Sequence, residues 1–168
     1  MIIDVRKILF DGAIVSLVAS AFLIVTLRIN PRLWLQDYSQ DIQDQVPPKT
    51  DRESRLSLIL GLPFLLLLFA APLISTVGLN RQYGGALSFL ALTIHAFGVG
   101  LMFNLVDWLL IDGLLFCVIT PSFIVIPGTE GADGYTTQNY GHHVRGFVIG
   151  TGVSLAGGLV IAAVVSLL

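Results

Sequence analysis

The sequence predicts an all-α integral membrane protein with about four transmembrane helices, one short amphipathic interfacial helix and a Gly-rich loop before the last helix. Of the 168 residues, 55% are hydrophobic and only 12% are charged, whereas a soluble domain carries about a quarter charged residues. A chain this short has a high surface-to-volume ratio, so it cannot bury that much apolar side chain in water. We therefore expect a single membrane domain over residues 1–168, in the plasma (inner) membrane.

Four apolar segments are long enough to cross a hydrocarbon core of about 30 Å. The first contains about 20 apolar residues, which is longer than the core of a signal peptide, so we expect it to remain as a helix. Thr50 and Glu53 form the pattern of a capping box and mark the start of the second helix. The expected spans lie near residues 8–28, 56–77, 85–119 and 144–168.

The third apolar segment is too long for one upright span. As a single helix, residues 85–119 would measure about 50 Å. No glycine or proline marks a turn at residues 104–107, so we favour one tilted helix that extends past the interface or bends at Gly113. Two separate segments remain the alternative.

Between the first two spans, residues 31–45 carry the pattern of a short amphipathic helix. Trp34, Tyr38 and Ile42 recur every fourth residue, so they would share one helix face. Such a helix lies at the membrane surface with aromatic anchors, or packs on the rim of the protein itself. Before the last span, residues 120–143 form a Gly-rich loop, and a loop of this length is often functional.

The distribution of lysine and arginine predicts the sidedness of the four spans. The positive-inside rule places the more basic side in the cytoplasm, so both termini would be non-cytoplasmic if there are four spans. One side carries Arg6, Lys7 and Arg81. The side with the first and third connections carries Arg28, Arg32, Lys49, Arg52, Arg55 and Arg145.

The last span has a small residue at every fourth position. This small-xxx-small ridge lets another helix backbone approach closely. Ala96, Gly100 and Asn104 on the third span offer a complementary face, and we prefer packing within the chain. A homo-oligomer seam or another membrane subunit is the alternative. The ridge consists of Gly146, Gly150, Ser154, Gly158, Ala162 and Ser166.

Polar residues gather near the predicted cytoplasmic boundary and define a candidate pocket. On an α-helix, Asp107 and Asp112 would lie about 140° apart, so they would share a face only if the helix bends. Carboxylates with imidazoles suit a divalent metal, for which we consider Asp107, Asp112, His142 and His143. Arg145 at a helix start could hold a lipid phosphate. The candidate pocket residues are Asn104, Asp107, Asp112, Glu130, Asp133, His142, His143 and Arg145.

The sequence leaves two hypotheses for function. The first is a non-catalytic accessory, assembly or scaffold subunit that packs through the ridged last helix; it is favoured because no signature of a known catalytic motif is present. The alternative is a membrane-embedded enzyme or transporter with a cytoplasm-facing pocket that binds a metal or a lipid head group. The net charge of -2, without a basic stripe, argues against a nucleic-acid partner.

Overall fold

The computed structural model describes residues 3–168, apart from the side chain at position 139. The predicted all-α class is confirmed, because helices dominate and no strand occurs among these residues. Four of the helices are long and apolar enough to cross a membrane. The elements in chain order are helix α1 (Val5–Ile29), a 3-10 helix (Pro31–Asp37), α2 (Gln40–Gln43), α3 (Asp51–Gln82), α4 (Phe89–Val106), a π-helix (Asp107–Ile119), two short 3-10 turns (Asp133–Tyr135 and Thr137–Asn139) and α5 (Tyr140–Val165).

Local sequence signals set the helix ends. The Thr50 hydroxyl accepts the Glu53 N–H, and the Glu53 carboxylate accepts the Thr50 N–H, so the capping box is present. It starts α3 at Asp51, earlier than hydropathy alone indicates. Pro63 and Pro72 lie inside α3 without ending it, as is common where neighbouring helices satisfy the freed backbone groups.

The third apolar segment is one continuous helical stretch from Phe89 to Ile119. The hydrogen-bonding pattern changes at Asp107, earlier in the chain than the bend expected at Gly113. From there the segment is a π-helix, in which each bond joins residues five apart. The stretch ends where Thr120 adopts a left-handed conformation and its N–H donates to the Leu115 carbonyl at 2.9 Å.

Helix α4 is the centre of the bundle and contacts α1, α3 and α5. Glycines bring its backbone close to α1. A Cβ added at Gly12 would lie 2.7 Å from Met102 Cβ, and one at Gly98 would lie 2.8 Å from Ile8 Cγ2. Both distances are too short for a real side chain, so the α1–α4 contact requires these two glycines.

On its other side, α4 packs against α5 along the ridge of small residues. A Cβ at Gly158 would lie 3.0 Å from the Phe97 nitrogen, and one at Gly150 would collide with the Asn104 side chain. Ser154 faces Gly100, and Ala162 is buried. The ridge therefore contacts α4 from Gly150 to Ala162. Its two end members, Gly146 and Ser166, are exposed.

The outer faces of the bundle are apolar. Large hydrophobic side chains remain exposed along every long helix, among them Phe10 on α1, Leu66 on α3 and Val153 on α5. Each of these three is about two-thirds exposed, at 68%, 66% and 67%. A water-soluble protein rarely leaves so large a continuous apolar surface uncovered, whereas acyl chains solvate it without cost.

One end of the bundle is covered by residues 30–50 and 120–139, and we call it the capped end. The single amphipathic helix expected over residues 31–45 is wrong: a 3-10 helix and the short α2 take its place, separated by extended backbone at Tyr38 and Ser39. The Tyr38 hydroxyl donates to the Ile124 carbonyl at 2.8 Å, and Tyr38 packs edge-on against Phe116. The segment thus rests on the protein, and the interior of the cap consists of Leu27, Leu35, Tyr38, Ile42, Ile124, Ile126, Ala132 and Tyr135.

The Gly-rich loop is held down by close backbone contacts. The Gly134 N–H donates to Asp41 Oδ2 at 2.8 Å, and a Cβ at Gly134 would collide with Ser39 Oγ. Burial raises the pKa of Asp41, but hydrogen bonds from the Ser39 hydroxyl and from backbone N–H groups outweigh it and lower the pKa below its ordinary value. The loop therefore docks on an ionised carboxylate.

Replacing Gly158 by leucine should destabilise the protein. The added side chain would meet the Phe97 backbone at 3.0 Å and force α4 and α5 apart, and overpacking of this kind costs about 1–3 kcal/mol. Thermal unfolding in one detergent would measure the loss. Gly152→Leu on the same helix is the matched control, because nothing lies within 4 Å of its Cβ. Equal unfolding temperatures for the two variants would contradict the α4–α5 seam.

Candidate functional site

A cavity of about 780 Å³ opens between the helices at the capped end. All four long helices and the first 3-10 helix contribute to its wall. Its apolar lining includes Leu23 of α1, Trp34 of the 3-10 helix, Phe64 of α3, Phe103 of α4 and Ile149 of α5. The cavity falls within the roughly 300–1,000 Å³ typical of small-molecule sites.

Six of the eight predicted pocket residues line this one cavity. Glu130 and Asp133 do not, because both lie exposed on the loop. The Glu130 carboxylate accepts the Gly128 N–H at 3.0 Å, and backbone N–H groups lower the pKa of this carboxyl. The six lining residues are Asn104, Asp107, Asp112, His142, His143 and Arg145.

The π-helix explains why Asp107 and Asp112 share the cavity. In an α-helix the two carboxylates would point about 140° apart. Because π-helical bonds join residues five apart, this segment brings Asp112 closer to the face of Asp107 than an α-helix would. Ile111 and Phe116, also five apart, line the same cavity. The α-helical spacing assumed from the sequence is therefore wrong for residues 107–119.

Two histidines at the start of α5 contact other elements of the cavity wall, the π-helix and the first 3-10 helix. His143 Nδ1 lies 3.2 Å from Asp112 Oδ1, and the His143 ring is buried. His142 Nε2 lies 3.2 Å from the Asp37 carbonyl oxygen. A carbonyl can only accept, so this nitrogen carries the hydrogen.

Asn104 is a packing residue as well as a lining residue. Its Nδ2 donates to the Phe147 carbonyl at 2.9 Å and to Thr151 Oγ1 at 3.0 Å. Both partners lie on α5. The amide therefore ties α4 to α5 at the inner end of the cavity, next to the close approach at Gly150.

The carboxylates of the cavity differ in how they are satisfied. Asp112 contacts His143, and Asp37 accepts a hydrogen bond from the Gln36 amide at 2.9 Å. Asp107 has no hydrogen-bond or ion-pair partner among residues 3–168. An ionisable group at membrane depth without a partner is costly, so a ligand could satisfy Asp107, together with the buried Trp108 Nε1, which also has no hydrogen-bond partner among the described residues.

Asp37 was not among the predicted pocket residues. It lies at the accessible edge of the cavity, but protein atoms crowd its carboxylate. This desolvation raises the pKa of Asp37, with Lys49, the Gln36 amide and His142 opposing the rise and Asp112 adding to it. The sequence held one usable signal, since Gln36 and Asp37 follow Trp34 on the same side of the membrane as the predicted pocket.

Aromatic rings make up much of the remaining wall. Trp108 stacks on Phe147 with ring centroids 4.6 Å apart, and Trp34 packs edge-on against Phe64 at 5.5 Å. Trp34 and Trp108 are the two tryptophans of the chain, and both line the cavity. Their fluorescence will therefore report on its contents.

The predicted metal ligands do not come together as a set. Among residues 3–168, no group of three or more His, Cys, Asp or Glu side chains could hold one metal ion. Asp112 and His143 are the closest pair of the predicted four, whereas Asp107 has no such partner.

A second polar cluster lies in the other half of the bundle, outside the cavity. Lys7 Nζ contacts Asp11 Oδ2 at 2.8 Å, the Ser75 hydroxyl donates to the same oxygen at 2.5 Å, and Ser75 Oγ lies 2.7 Å from His95 Nε2. His95 is only 1% exposed. The cluster joins α1, α3 and α4, and no sequence pattern links residues so far apart in the chain.

Comparison with models of known protein families, with curated proteins and with solved structures finds no match for this chain. The cavity is therefore interpreted from its own geometry.

Asp112 and His143 should be energetically coupled. A double-mutant cycle of Asp112→Asn and His143→Ala, followed by thermal unfolding, should give a coupling energy of about 1 kcal/mol because the two groups are in contact. Asp133→Asn combined with His143→Ala is the control, since Asp133 is exposed on the loop, and its effects should add. Additive effects for the first pair would show that the contact contributes nothing.

Proposed function

We propose that this protein binds a lipid-like amphiphile in the cavity at the capped end, with the polar head beside Asp107, Asp112 and His142. The proposal corresponds to the lipid-head-group version of the pocket hypothesis. One observation carries it: charged side chains and apolar side chains line the same cavity, within a helical bundle suited to a membrane.

The two kinds of lining residue, apolar and charged, suit the two parts of an amphiphile. Leu23, Leu65 and Ile149 supply aliphatic wall, which would pack against an acyl chain. Binding sites of this kind are mostly apolar and use a few placed polar groups for orientation. Here the carboxylates, imidazoles and guanidinium supply those groups.

The scaffold hypothesis is less well supported. It relied on the ridge of α5 as a docking surface, but the ridge already contacts α4 from Gly150 to Ala162. Close helix packing needs both backbones to approach, so that part of the ridge has no room for another subunit. Of the end members, Gly146 lines the cavity.

We also propose that the capped end faces the cytoplasm. The six basic residues assigned to that side flank the cap or the ends of α1, α3 and α5 that meet it. The positive-inside rule favours this orientation, and it gives the cavity access to the cytoplasmic leaflet. Both termini would then lie on the opposite side.

Brominated dodecyl maltoside provides a direct test of amphiphile binding, because bromine quenches tryptophan on contact. Titrated at low mole fraction into protein in nanodiscs, it should quench Trp34 and Trp108 with a saturable component. Gly61→Phe should weaken this component about tenfold, a loss of roughly 1.4 kcal/mol. Gly61 lines the cavity and nothing lies within 4 Å of its Cβ, so the ring would fill space that the ligand needs.

Gly78→Phe is the matched control for the quenching experiment. Gly78 lies on the same helix α3, outside the cavity, and its Cβ also has nothing within 4 Å. This variant should titrate like the unmodified protein. Quenching that never saturates, or that is the same in both variants, would contradict a binding site in the cavity.

A further inference from the structure

We propose that the amphiphile carries a positively charged head, as an ammonium group does. The inference rests on the proposed function, since it concerns the ligand of the same cavity. It follows from the charges that line the cavity, from the unpartnered Asp107 and from the aromatic rings beside it.

Carboxylates outnumber permanent cations on the cavity wall. Asp37, Asp107 and Asp112 line it, against the single guanidinium of Arg145. Asp112 contacts His143, and the two histidines carry full charge only when protonated. The wall therefore holds more acidic than basic side chains, and a cationic head would stabilise the charged form of these carboxyl groups.

Asp107 supplies the most specific argument. The side chain has no protein partner among residues 3–168, although it lies within a helix that spans the apolar part of the bundle. An unpaired carboxylate in such surroundings is costly, and a carboxyl group without a partner takes up a proton instead. An ammonium head would pair with this carboxylate, whereas an anionic head would add repulsion.

Aromatic side chains also line the cavity. Trp34, Tyr38 and Trp108 all line it. The faces of aromatic rings attract cations, and the attraction grows where water is excluded. Rings and carboxylates together select a cation over a neutral head of similar size.

Arg145 is the feature that would favour an anion instead. Its side chain is exposed, while Asp107 and Asp112 are partly buried. Charges interact more strongly where protein replaces water, so the carboxylates should dominate the selection. The guanidinium at the accessible rim is screened by solvent and salt.

Competition against brominated dodecyl maltoside tests the head-group charge. Three competitors with the same twelve-carbon chain are compared in phosphatidylcholine nanodiscs: dodecyltrimethylammonium, dodecyl maltoside and dodecyl phosphate. The ammonium compound should restore tryptophan fluorescence at a concentration about tenfold lower than the maltoside. The phosphate should be the weakest of the three.

The Asp107→Asn variant should lose this preference. The ammonium compound and the maltoside should then compete within about threefold of each other. Asp37→Asn is the second variant should Asp107→Asn unfold. Asp44→Asn is the control, because Asp44 is exposed and outside the cavity.

The outcomes separate the inference from the proposed function. Equal competition by all three compounds, or strongest competition by the phosphate, overturns the inference but leaves amphiphile binding intact. If no compound relieves the quenching and Gly61→Phe behaves like Gly78→Phe, the proposed function itself fails. The inference is also overturned if both Asp107→Asn and Asp37→Asn still prefer the ammonium compound, because the selection would then not come from these carboxylates.

Discussion

The change from α-helical to π-helical hydrogen bonding at Asp107 is the constraint on which the candidate site depends. It keeps the backbone hydrogen-bonded in a helix, as a membrane requires, while it alters which side chains share a face. Asp107 and Asp112 thereby reach one cavity, together with Ile111 and Phe116. π-helical turns are rare and often occur at functional sites. The unusual backbone and the polar cavity therefore both favour a functional site at this end of the bundle.

The same helix organises the rest of the bundle. Helix α4 meets α1 through Gly12 and Gly98, and it meets α5 through the ridge that includes Gly150 and Gly158. Lipid offers no hydrophobic drive for helices to associate, so close backbone packing must supply the attraction. Because α4 is held on both sides, its continuation past Val106 is placed against α5, where both segments line the cavity.

Hydropathy and residue spacing predicted much of this architecture. The four apolar segments became the four long helices, and the sequence named six of the residues that line the cavity. The sequence-based prediction failed where tertiary contacts determine the local structure. Over residues 31–45 the structure has a 3-10 helix and α2 in place of the predicted single helix, because Tyr38 packs on the loop. This arrangement places Asp37 in the cavity lining. The chain from Asp11 through Ser75 to His95 joins three helices, and nothing in local sequence indicates it.

Thiol accessibility along the π-helix tests the central claim most directly. In a Cys117→Ser background, which removes the chain's one cysteine, single cysteines at Asp107, Asp112 and the exposed Leu110 would be treated with a water-soluble maleimide in nanodiscs. The structure predicts that positions 107 and 112 both react and that brominated dodecyl maltoside protects both, while position 110 reacts slowly and is not protected. Reaction or protection at only one of the two aspartate positions would contradict a shared cavity and indicate an ordinary α-helix.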